Sequence, residues 1–99
     1  MTATESSTDD TALELRRSGR SFAAIAKTLG LKRASDANDA FNRALRTRPR
    51  DEQVVLRDEE SLRLDKLATK VRSRKDLAED DVNRQLRTIT RLREALVAD

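Results

Sequence analysis

Cysteine and histidine are both missing from this 99-residue chain. Their absence excludes disulfides, thiolate chemistry, zinc sites built on either residue and histidine general-base catalysis. Tryptophan and tyrosine are missing too, so Phe22 and Phe41 are the aromatics. Two glycines and one proline leave few breakers, and the chain is expected to be all-α with no sheet. No Gly-rich loop is present to cradle a phosphate, so ATP hydrolysis is not expected here. No apolar run approaches the length of a bilayer span, and the polar start MTATESSTDD is not a signal peptide. The expectations are a cytoplasmic location, no membrane partner, no cofactor, no small-molecule substrate and no enzyme activity.

What is present is charge. Charged residues make up 39% of the chain and hydrophobic residues 36%, too little apolar material for a deep core. Such a chain is expected to complete its core against copies of itself. The net charge of +3 hides an asymmetry. Residues 1–12 hold Glu5, Asp9 and Asp10 and no base. Residues 13–50 hold most of the positive excess, with only Glu14, Asp36 and Asp39 opposing it, and residues 51–99 nearly balance. A positive field on 13–50 suits a polyanion. The adjacent acids Asp9–Asp10, Glu59–Glu60 and Asp80–Asp81 do not suggest a metal, because neighbours on a helix point about 100° apart.

The stretch from Ser21 to Leu45 has the form of a helix, a tight turn and a second helix. Ser21 is the natural cap; Phe22, Ile25, Ala26 and Leu29 recur at helical spacing, and Gly30 stops the helix. Ala34, Ala37, Phe41, Ala44 and Leu45 then fall within about a third of the next helix's circumference. Ala26 and Ala37 are small enough to let the two helices cross closely. The opposite face would carry Ser35, Asp36, Asp39, Asn42, Arg43 and Arg46. Arginine can fork onto guanine or phosphate, and asparagine can pair with adenine. The candidate DNA-binding set is Arg20, Lys27, Lys32, Arg33, Ser35 and Asn38, continuing through Asn42, Arg43, Arg46, Arg48 and Arg50. Asp36 and Asp39 fit less easily, since a carboxylate repels phosphate. Asp39 and Arg43 are four apart and can pair within the helix. Lys32 or Ser35 is the candidate cap of this helix.

Before this stretch, Asp9, Asp10 or Thr11 can cap a short first helix, Ala12 to Ser18, on which Leu13 and Leu15 pack inward. Residues 1–10 are expected as a disordered tail and 11–48 as a helix-turn-helix DNA-binding unit, with the third helix ending near Thr47, before Pro49. Residues 51–99 are expected as an antiparallel helical hairpin used for oligomerisation. In its first helix, Asp51 to about Arg74, Leu56, Leu64, Leu67 and Val71 share one face, while Val55 and Leu62 lie on nearly the opposite one. Asp76 and Glu79 have the form of a capping box that opens a last helix, Leu77 to Val97. Val82, Leu86, Ile89, Leu92 and Leu96 form its stripe. With Val55 and Leu62 they are the candidate oligomerisation residues.

The run IAKTLGLKRASDANDAFNRAL, the basic break after it and the LRLDKL and KDLAEDDVNRQL segments together resemble small phage and actinobacterial helix-turn-helix proteins. They are similar to the small subunit of the phage terminase over about residues 12–97. That resemblance implies a homo-oligomer in a bacterial or phage-infected cell. It would mark double-stranded DNA for packaging and hand it to an ATPase subunit. The family often carries Ser, Lys or Tyr where this chain has Asp36, Asn38 and Asp39. A chromosomal transcription regulator or nucleoid-associated protein of the same build is the alternative. A protein-interaction adaptor or antitoxin without DNA binding is the alternative of another class.

Overall fold

Few breakers and many helix formers give the expected outcome: an all-helical chain. The computed structural model describes the backbone of residues 2–98 and side-chain exposure from residue 8 onward. Among the described residues five helices follow one another: α1 (Thr2–Arg17), α2 (Phe22–Leu29), α3 (Ala34–Arg46), α4 (Arg50–Ser73) and α5 (Glu79–Val97). No strand occurs among the described residues, and no helix is long and apolar enough to cross a membrane. The chain divides into two compact units, Met1–Val54 and Val55–Asp99.

In the first unit α3 packs against both α1 and α2. Its buried face therefore holds Ala37, Asn38, Ala40, Phe41, Asn42, Ala44 and Leu45. At 100° per residue that arc exceeds half the helix, well beyond the third that apolar spacing suggests. The Phe22 and Phe41 rings meet edge to face at 5.7 Å, and Ala12, Leu13, Ile25 and Ala26 are buried in the same unit. The Arg16 guanidinium lies 4.0 Å above the centre of the Phe22 ring. Its Nη1 donates to the Arg20 carbonyl at 3.1 Å, so a nearly buried cation has both a π face and an acceptor.

Local signals fix the turns. Ser21 caps α2 as expected, its hydroxyl accepting from the Ala24 N–H at 3.1 Å. Gly30 ends that helix at φ 71°. Leu31 N–H donates to Ala26 carbonyl at 2.8 Å and Gly30 N–H to Lys27 carbonyl at 3.4 Å, a Schellman closure. At the start of α3 the cap is Arg33 rather than Lys32 or Ser35, and it lends no side-chain bond of its own. Asp36 serves instead, accepting from the Arg33 N–H at 3.1 Å, which is one half of a capping box. At the far end Gln53 Nε2 donates to the carbonyls of Arg48 (2.7 Å) and Arg46 (3.3 Å).

One end of this unit departs from expectation. α1 begins at Thr2 rather than Ala12. No Gly or Pro interrupts residues 2–17, and Asp9 and Asp10, expected as caps, instead sit on the helix and face arginines. Ala34, expected inward, is exposed.

The second unit is simpler. Arg57 Nε donates to the Leu96 carbonyl at 2.9 Å and Arg93 pairs with Asp65 at 2.6 Å, so the start of α4 lies beside the end of α5 and the helices run antiparallel. Leu64, Ala68 and Val71 of α4 pack on Ile89 of α5, with Val82, Leu86 and Leu92 around them. Buried positions on α4 step by four, Leu56, Glu60, Leu64 and Ala68. Leu67, expected on this face, is displaced by Ala68 and is 40% exposed. Glu60, almost fully buried, accepts from Arg63 Nε at 2.7 Å. The capping box at Asp76 does not form. α5 starts at Glu79, and Asp76 turns to Arg74, taking its Nε at 3.1 Å and Nη2 at 2.6 Å.

Candidate nucleic-acid interface

The outward stripe of α3 is what remains after its wide burial: Ser35, Asp36, Asp39, Arg43 and Arg46. Asn38 and Asn42 are not on it. Both are buried, and Asn42 Nδ2 donates to Asn38 Oδ1 at 3.2 Å. They were expected as base-reading groups, and the structure corrects this. With neighbours on two sides α3 buries the flanks of its apolar arc, and two amides four residues apart satisfy each other there.

The basic residues gather at the two ends of the stripe. Lys32 and Arg33 lie exposed in the turn that opens α3, and Lys27 is exposed in the last turn of α2. These three form no ion pair among the described residues. Arg43 and Arg46 stand near the other end, followed by the half-buried Arg48. From Arg33 to Arg46 the helix rises about 20 Å. Between these ends lie Asp36, committed to its capping bond, and Asp39, which is exposed. Arg20 is exposed beyond α1, and Arg50, expected in the basic break, is the exposed first residue of α4.

Arg43 and Arg48 already hold carboxylates. Arg43 gives a fork to Asp9, Nε to Oδ2 at 2.9 Å and Nη2 to Oδ1 at 3.0 Å. Arg48 Nη2 donates to Asp10 Oδ1 at 3.2 Å, while its Nε is buried with no hydrogen-bond partner among the described residues. Apolar spacing gives no hint of either pair, since the partners lie 34 and 38 positions apart. The signal that could have found them is the opposite charge of residues 1–12 and 13–50.

The expected contact residues of the second unit divide into two groups. Ile89 and Leu96 are buried, and Val82, Leu86 and Leu92 are partly buried on the α4 cluster, so this stripe packs within the unit. Val55 and Leu62 keep 53% and 60% of their surface exposed.

No protein-family model matches the chain, and no curated protein or solved structure is significantly similar to it.

Proposed function

We propose that the first unit is a DNA-binding module of helix-turn-helix type. More particularly, it holds duplex DNA by its phosphates rather than reading bases through asparagine. The observation behind this reading is the division of exposed cations along α3: Lys32 and Arg33 at its start, Arg43 and Arg46 near its end. A separation of about 20 Å exceeds the roughly 12 Å width of the major groove, so the two ends reach phosphates on either side of it. Asp39 is the one outward acid not used in capping, and it can accept from a cytosine amino group. The exposed Val55 and Leu62, seven residues apart on α4, supply contacts to a second copy. In the packaging role that the family resemblance implies, the oligomer would also stimulate a separate ATPase subunit.

The test is the salt dependence of binding to a fluorescent duplex, read by anisotropy. Four phosphate contacts give a slope of roughly −3.6 in log K against log salt, or about a hundredfold loss between about 50 and 200 mM. Lys32→Glu with Arg33→Glu should abolish binding and leave helicity intact. Binding indifferent to salt, or none at low salt, overturns the reading. A second reading, a protein-interaction module without DNA binding, is favoured by one observation: Arg43 and Arg48 are already paired with carboxylates.

A further inference from the structure

We propose that α1 screens the DNA-holding face from within: Asp9 and Asp10 occupy Arg43 and Arg48 as stand-ins for phosphate, and duplex DNA must displace them. This rests on the function proposed above and names how the same face is regulated. Asp9 presents two oxygens to the Arg43 fork at 2.9 and 3.0 Å, the geometry in which a guanidinium takes a phosphate. Arg43 nevertheless keeps 53% of its side chain open to solvent, so a competing anion has an approach. The Arg48 pair is looser, a single hydrogen bond at 3.2 Å to a carboxylate whose side chain is 55% exposed. α1 does not rest on these two acids alone. That helix is already anchored by Ala12 and Leu13, which are nearly fully buried, and by Arg16 on the Phe22 ring.

The consequence is selectivity by charge density. A weak or isolated anion does not outcompete a carboxylate held on the same unit. A duplex brings one phosphate charge about every 1.7 Å along its axis and gains from the counterions it releases. Two carboxylates paired with two arginines of a segment of +7 thus set a threshold instead of simply lowering net charge.

The experiment compares Asp9→Asn and the double variant Asp9→Asn/Asp10→Asn with Glu14→Gln, an exposed acid on the same helix whose loss changes net charge equally. Exposed ion pairs are weak, so the expected gains in duplex affinity are modest. They are roughly threefold for Asp9→Asn, roughly tenfold for the double variant and under about twofold for Glu14→Gln. Equal gains from Asp9→Asn and Glu14→Gln would reduce the effect to bulk charge and overturn the screen. So would unchanged or weaker binding by a variant of unaltered helicity, the result expected if the pairs only fasten α1. Should the double variant fail to fold, Asp10→Asn alone carries the test, with a gain of roughly twofold to threefold expected at unchanged melting temperature. If neither wild type nor variants bind duplex at low salt, the DNA-binding function itself falls and the screen with it.

Discussion

The two units bury their helices differently. In the first, α3 has neighbours on two sides, and more than half its circumference is covered, including Asn38 and Asn42. In the second, α4 and α5 have only each other within the unit, and burial on α4 is a single row stepping by four. A helix with one neighbour buries its apolar stripe and little else. A helix with two also buries whatever flanks the stripe. Polar residues at the flanks then become structural, whatever their chemistry offers a ligand.

Truncating each centre tests that contrast most strongly. Phe41 is fully buried on a helix with two neighbours and meets Phe22 edge to face, so Phe41→Ala should cost about 3–5 kcal/mol. Leu64, equally buried but with a partly open cluster around it, can let its neighbours relax. Leu64→Ala should fall nearer 2–3 kcal/mol. Denaturant unfolding followed by circular dichroism measures both. A larger loss at Leu64 would reverse the ranking of the two units.

Next in size is Asn42→Ala. Removing Nδ2 leaves Asn38 Oδ1 buried without that donor, and the expected loss is about 1–3 kcal/mol. A base-reading asparagine on an open face would behave oppositely, with stability unchanged and duplex affinity lost. The same pair of measurements, melting and anisotropy, therefore decides between a structural and a recognition role for this residue.

These particulars show where the sequence was legible. The all-helical class, the Ser21 cap, the Gly30 stop and the α5 stripe follow from local chemistry and a simple period, and each has one dominant cause. An apolar pattern marks only the centre of a buried arc, and so leaves Asn38 and Asn42 as candidates for the outer face. Asp is a good cap, so local chemistry assigns Asp9 and Asp10 that role, and nothing local announces a partner more than thirty positions away. Leu67 and Ala68 exchanged places for a related reason. The larger side chain has the greater apolar surface, but the stepping by four selects the smaller one.

The smallest expected effect concerns the link between α4 and α5. The Arg74 fork, chiefly through its hydrogen bonds, holds the Asp76 carboxyl below the ordinary Asp range and raises Arg74 further above its own. A depressed carboxyl stabilises the fold fully above the unfolded pKa of about 3.9, and that contribution disappears as pH falls through the lowered value. Both groups are on the surface, so the effect on stability is slight and the titration itself is the useful readout. Carboxyl-carbon NMR should show Asp76 titrating below an ordinary Asp, and Arg74→Gln should raise it toward that range but not into it, because the backbone hydrogen bond to the carboxylate remains. Asp76 cannot fork Arg74 and cap α5 at once. Once released by Arg74→Gln it is available to the amides near Glu79, and α5 should lengthen back toward Leu77 with slower amide exchange there. An Asp76 that titrates normally in the wild type would mean that the fork does not hold in solution, leaving the start of α5 to the cap that its sequence suggests.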